Sequence, residues 1–274
     1  MNINNTKKDK LRTIFEQYAS EDMCVAFSGG VDSSLVLVMA CEAARKTGKK
    51  VYALTLDTVL HPKADLEIAK KVLEGTDALH VVITMDELAV PEIRNNPVNR
   101  CYLCKKALFG RMLSFAKEKG ISLMLEGSNE DDLHVYRPGL AAVRELGVKS
   151  PLAACHVTKT EVRALAEEYH IPVAERPSAP CMATRLPYGA EIDLELLKRI
   201  DTAEVSLRAM GLKNVRVRVH SDILRLEVDA DSISKVVAHR DEILKQLKKV
   251  GCPYVTLDLE GFRSGSMDIG IKLD

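Results

Sequence analysis

The chain has 274 residues, 46% hydrophobic and 28% charged, which suits one large or two smaller soluble domains with sizeable cores. Its 39 Lys+Arg balance 39 Asp+Glu, so no global field draws it to nucleic acid or an anionic membrane. No apolar run approaches the ~20 residues that span a bilayer.

The opening residues lack an apolar signal core, and Leu11, Ile14, Phe15 and Tyr18 follow helical spacing instead. The C-terminal Ile-Lys-Leu-Asp carries no lipidation box, so a cytoplasmic protein is expected. Disulfides do not persist in that compartment, and the seven cysteines read as buried hydrophobes, catalysts or metal ligands.

Apolar runs at 23–27, 51–56, 79–84 and 121–127 alternate with helical patterns at 33–46, 63–75 and about 102–119. Short, nearly all-apolar strands separated by helices predict an α/β fold with a parallel sheet covered on both faces. Thr158 with Glu161 has capping-box spacing and opens a further helix running to about Tyr169. The segment 171–189 then holds four of the ten prolines, which excludes regular helix or central strand. Beyond it come a helix (about 191–210), strands at 215–220 and 223–228, a helix (231–249) and a strand (254–259). The expected organisation is a first domain over 1–172, a Pro-rich loop over 173–190, and a smaller α/β domain over 191–274.

Ser28-Gly29-Gly30-Val31-Asp32-Ser33 directly follows the first strand and precedes a helix. Ligands of open α/β sheets gather beyond the carboxyl ends of the strands. A Gly-Gly turn brings backbone N–H groups close to an anion, and the helix N-terminus adds its positive end. Ser28 and Ser33 offer hydroxyl donors, whereas Asp32 is suited to orienting the loop or facing a divalent cation. The string lacks both the Walker Lys-Ser/Thr ending and a G-x-G-x-x-G pattern. It resembles the PP-loop of the ATP pyrophosphatases (adenine nucleotide alpha hydrolase-like fold), which implies attack of a substrate oxygen on the α-phosphorus of ATP and departure of pyrophosphate. Glu126, Gly127, Asp131 and Asp132, after a later strand, resemble a second patch of that family. Gly127 would let backbone approach the nucleotide, and the carboxylates would help hold Mg²⁺ or form a solvated acidic loop.

Cys24, Cys41 and Cys252 lie in core-like contexts, and Cys155 is ambiguous. Cys101 and Cys104 form a C-x-x-C pair, and Cys181 lies in the Pro-rich segment. One pair without fixed-spacing histidines is incomplete as a structural zinc site. A dithiol and a three-thiolate [4Fe–4S] cluster with one open iron both remain compatible with the spacing.

The strings PCMATRLPYG, DDLHVYRPGL, VRVRVHSDILRLEV and YVTLDLEGFRSG, beside the nucleotide loop, resemble the LarE family over nearly the whole chain. These sulfur transferases make the nickel-pincer cofactor by converting carboxylates of pyridinium-3,5-biscarboxylic acid mononucleotide to thiocarboxylates through an acyl-adenylate. The resemblance implies catalytic roles for Cys181, Cys101, Cys104 and Asp32. Its three-cysteine branch implies a [4Fe–4S] cluster on Cys101, Cys104 and Cys181 that carries an extra sulfide. It further implies ATP as cosubstrate, Mg²⁺, an external sulfide donor and a homo-oligomer, often a hexamer. Thr184 stands where the family often has serine. Arg185, Arg216, Arg218 and Arg263 would clamp the anionic groups of the substrate, against the blander reading of Arg216 and Arg218 as a solvated strand face. The alternatives are sacrifice of the Cys181 sulfur, a tRNA-thiolating PP-loop enzyme, and a zinc-stabilised nucleotide sensor.

Overall fold

A computed structural model describes residues 5–61, 64–135, 137–174, 180–263 and 265–268. Of the sequence expectations, Lys63, the stretch 175–179 of the Pro-rich loop, Tyr136, Ser264 and the C-terminal residues from 269 lie outside the described residues. Two compact units form: Met1–Ile93 with Asn99–Ala179, and Arg94–Val98 with Pro180–Asp274. No described helix is long and apolar enough to cross a membrane.

The first unit runs α1 (Asn5–Tyr18), β1 (Met23–Ala26), α2 (Val31–Thr47), β2 (Val51–Thr58), α3 (Ala64–Leu73), β3 (Leu79–Met85), α4 (Arg100–Glu118), β4 (Leu123–Leu125), α5 (Gly139–Glu145), α6 (Pro151–Ala154) and α7 (Lys159–Glu168). The four strands are parallel in the order β3-β2-β1-β4. Successive strand side chains point to opposite faces. Met23 and Val25 accordingly pack with Leu11, Leu35 and Leu165, while Cys24 packs with Phe109, Met112 and Met124. Both faces of the sheet are therefore covered by helices, as the near-continuous apolar strands required. Thr158 and Glu161 form the expected capping box at the start of α7. The helix expected from about 102 begins at Arg100, which places Cys101 in its first turn.

The second unit holds α8 (Leu194–Ala209), β5 (Val215–His220), β6 (Ile223–Val228), α9 (Ile233–Ala238), α10 (Arg240–Leu247) and β7 (Tyr254–Leu257). β5 and β6 are antiparallel and β6 and β7 parallel. The expected helix 231–249 is divided at His239 into α9 and α10. Arg216 and Arg218 do share one face of β5, opposite Val215, Val217 and Val219, but that face is not solvated. Both arginines are buried, because α8 and the segment after Cys181 cover them.

Candidate active site

Tight turning of the chain from β1 into α2 creates the nucleotide loop. Gly29 has φ of 71°, and a Cβ there would stand 3.0 Å from the Ala69 amide nitrogen of α3, so both backbone angle and space require glycine. Gly30 caps α2 with extended backbone. The Ser33 hydroxyl donates to the Gly30 carbonyl at 3.1 Å and lies 3.1 Å from the Ser28 hydroxyl. Ser28 Oγ in turn accepts from the Gly30 amide at 3.3 Å. The two serines thus brace the loop whose amides and helix dipole face an incoming anion.

Asp32 is the loop's one carboxylate, and the structure neutralises it. Asn129 Nδ2 donates to it at 2.9 Å, and Lys159 Nζ forms an ion pair with its other oxygen. Of the two sequence alternatives, orientation of the loop describes Asp32. Gly127 does make a close backbone approach, but to the backbone of Asp32 and Ser33, where a Cβ would fall 2.8 Å from the Ser33 nitrogen.

The acidic residues nearby are committed to neighbouring donors. Buried Glu126 accepts from Ser128 N at 3.0 Å, Ser128 Oγ at 2.8 Å and the Ser150 hydroxyl. Asp131 accepts from the Lys159 amide at 2.8 Å, capping α7, and Asp132 pairs with Arg137 at 3.0 Å and accepts from Asn129 N at 3.2 Å. Neither reading of Asp131 and Asp132 describes them fully, since both shape the loop. Among the described residues of either unit, no three His, Cys, Asp or Glu side chains converge as a ready-made metal site. The carboxylates do not fit a prebuilt Mg²⁺ site.

A cavity of about 310 Å³ opens at the carboxyl ends of β1, β2 and β4. The nucleotide loop forms one wall, Thr55–Thr58 another, and Lys105, Leu108, Phe109 and Met112 of α4 a third. Cys101 and Cys104 occupy the same helical stripe one turn earlier, four residues before Lys105 and Leu108 respectively. Cys101 is half-buried and accepts a 3.4 Å hydrogen bond from the Arg100 guanidinium; Cys104 is buried. Cys24, Cys41, Cys155 and Cys252 are buried in apolar surroundings, which pushes the Cys24 thiol up to about 12 and Cys41 to about 11.

In the second unit, half-buried Cys181 starts a 3-10 turn, Met182–Arg185. Arg185 makes a fork-to-fork pair with buried Glu204 of α8, at 2.7 and 2.8 Å. Arg218 binds Glu227 at 2.7 Å, Ser266 Oγ at 2.9 Å and the Thr184 carbonyl. Arg216 stacks on Phe262 with its guanidinium 5.0 Å from the ring centre. Burial and the neighbouring Arg185 push its pKa down to about 10. Buried Asn96, with φ of 46°, reaches the carbonyls of Leu186 at 3.1 Å and Pro187 at 2.8 Å. Arg263 sits apart from Arg185, on a 510 Å³ cavity it shares with Tyr188, His220, Arg225 and Ser266. His220 Nε2, Arg225 Nε and Arg263 Nε are buried there without hydrogen-bond partners among the described residues.

The model of the PP-loop domain family matches residues 3–146. The pyridinium-3,5-bisthiocarboxylic acid mononucleotide synthase of Lactiplantibacillus plantarum is 36% identical over 244 residues, covering 89% of this chain and 88% of that protein. The chain belongs to the LarE family of PP-loop sulfurtransferases. Uncharacterized proteins of Synechocystis (35% identical, 96% of this chain and 97% of that protein) and Methanocaldococcus jannaschii (30% identical, 91% and 94%) are similar over comparable spans.

Several polar residues of the two units escaped the sequence reading. Lys159 occupies the first position of α7, where a cation opposes the helix dipole, and that misplacement was a legible sign of a nearby carboxylate. Glu204 lies on the buried stripe of α8 with Leu197, Ile200 and Leu207, so it needed a buried cation. Asn96 left no such trace.

Proposed function

We propose that this protein uses ATP to adenylate a carboxylate of pyridinium-3,5-biscarboxylic acid mononucleotide and then replaces the adenylate with sulfur. The observation that carries the reading is the braced Ser28–Ser33 loop over a cavity whose α4 wall continues into Cys101 and Cys104. A substrate carboxylate oxygen attacks the α-phosphorus, the bond to pyrophosphate breaks, and the loop amides and serine hydroxyls take up the charge that develops on the leaving group. Lys159 offsets the charge of Asp32 beside the loop, so that this carboxylate does not oppose the departing pyrophosphate.

Cys101, Cys104 and Cys181 would hold a [4Fe–4S] cluster. Their fit rests on donor chemistry: two thiols share one helical stripe, a guanidinium donates to one sulfur, and the third cysteine heads a braced turn. When bound, the group supplies exchangeable sulfide as the nucleophile that displaces AMP from the acyl carbon. The cavity shared by His220, Arg225 and Arg263 suits the phosphate of the substrate, since His220 Nε2 and Arg263 Nε there have no hydrogen-bond partner among the described residues. Mg²⁺ would arrive with ATP, held by phosphate oxygens.

The test is iron and acid-labile sulfide per chain on protein purified without oxygen, for wild type and Cys101→Ala. A near-stoichiometric cluster lost in the variant supports the reading. No iron after anaerobic reconstitution overturns the cluster step, and dehydroalanine at Cys181 after turnover would then identify sacrifice of that sulfur.

A further inference from the structure

The cavity beyond the nucleotide loop has a second polar wall at the end of β2. His61, following β2, lines it together with Asp57 and Thr58. Behind the imidazole stands Glu87, fully buried in the 3-10 turn after β3. Its Oε2 accepts from the Val59 amide at 3.2 Å, and its Oε1 has no hydrogen-bond donor among the described residues but faces His61 Nδ1 at 3.6 Å. His61 Nδ1 also lies 2.8 Å from the Thr58 hydroxyl. Burial pushes the Glu87 carboxyl up, but His61, its own backbone amide and Thr58 outweigh that, leaving it below its usual value.

A buried carboxylate facing Nδ1 favours the proton on that nitrogen, and in the neutral ring Nε2 is then an acceptor. The same back-side arrangement orients histidines in metal and catalytic sites. Here it leaves Nε2, which has no partner among the described residues, available to a ligand in the cavity. The two walls differ in sign. Amides, serine hydroxyls and a helix N-terminus gather at the loop, whereas Asp57 and an acceptor nitrogen gather at the end of β2. Phosphates are drawn to the first and repelled by the second, so the second faces the nucleoside.

We infer that His61, positioned by Glu87 and Thr58, accepts a hydrogen bond from a donor on the nucleoside of the bound nucleotide, and so contributes to the selection of that nucleotide. The donor is the 6-amino group of adenine or a ribose hydroxyl. The inference rests on the reading of the cavity as the ATP site.

The experiment measures dissociation constants by calorimetry on the full chain for ATP, inosine triphosphate, 2′-deoxy-ATP and 3′-deoxy-ATP. Wild type, His61→Ala, His61→Gln and Glu87→Gln are compared. One unpaired acceptor corresponds to roughly a three- to tenfold loss, so wild type should bind one analogue that much more weakly than ATP. His61→Ala should bind ATP as weakly as wild type binds that analogue and should no longer distinguish the two. Weakening on inosine triphosphate assigns the amino group; weakening on a deoxy nucleotide assigns the hydroxyl. Equal affinity of wild type for all four, or a preference that survives in His61→Ala, overturns the inference and leaves the ATP site standing. Absence of ATP binding by wild type overturns both.

Discussion

Gly127 lies so close to Ser33 that a side chain at the first would strike the main chain of the second. A Cβ there would sit 2.8 Å from Ser33 N and 3.0 Å from the Asp32 carbonyl carbon, both backbone atoms with no rotamer to change. The loop after β4 therefore sets the position of the nucleotide loop. Gly127→Ala should cost about 1–3 kcal/mol of stability through overpacking. It should also weaken ATP binding by about tenfold, because donors displaced by a few tenths of an ångström no longer converge on the phosphates. Urea unfolding and calorimetric titration with ATP measure the two effects; unchanged affinity would mean that the loop adapts.

The seven cysteines separate by environment, which predicts their reactivity. Thiolates are the nucleophiles, and burial holds Cys24 and Cys41 far above neutral pH and raises Cys155 and Cys252 as well. Cys101 and Cys181 are the half-buried ones. Brief treatment of cluster-free native protein with iodoacetamide at pH 8, followed by peptide mass spectrometry, should label Cys101 and Cys181 and leave the five buried cysteines unmodified. Early labelling of Cys24 or Cys41 would contradict the packing described.

The layers of the first unit were legible because strand and helix leave different periods, and the nucleotide loop because its residue types follow a strand directly. Residue types alone cannot show partners distant in the chain. Taken alone, Arg216 and Arg218 read as a solvated face, and only Phe262 against Arg216 and Glu227 beside Arg218 reveal how they are held when buried. Asp32 carried its chemistry in the sequence, but the cation that balances it lies 127 residues further on.

The Arg185–Glu204 pair gives the second unit a defined response to acid. Burial pushes the Glu204 carboxyl up, but the hydrogen bonds and charge of Arg185, with the Val217 amide and Arg216, outweigh it and hold it below its usual value. A carboxyl depressed in the folded state adds stability above its unfolded pKa of about 4.3, and that stability is lost as pH falls through the folded value. Glu204→Gln leaves Arg185 buried without its counter-charge and should cost about 3–5 kcal/mol near pH 7. The gap from wild type should begin to narrow below the unfolded pKa of about 4.3 and close as pH falls through the depressed folded value. Urea midpoints between pH 3 and 7 measure it; a constant gap would show that Glu204 acts through packing rather than charge.

Asn96 ties the chain entering α4 to the turn that carries Cys181. Its side-chain amide serves the carbonyls of Leu186 and Pro187, and its own carbonyl accepts from the Gly189 amide at 3.0 Å. The left-handed backbone at this residue suits asparagine among non-glycine residues. Asn96→Ala abandons buried carbonyls and should cost about 1–3 kcal/mol. Asn96→Gly keeps the backbone angle while losing the same side-chain bonds, so the pair of variants separates strain from hydrogen bonding. Both should raise amide exchange across residues 181–189 without raising it in β5, and both should speed alkylation of Cys181 in cluster-free protein. If only the alanine variant does so, the backbone angle rather than the side-chain amide holds the turn.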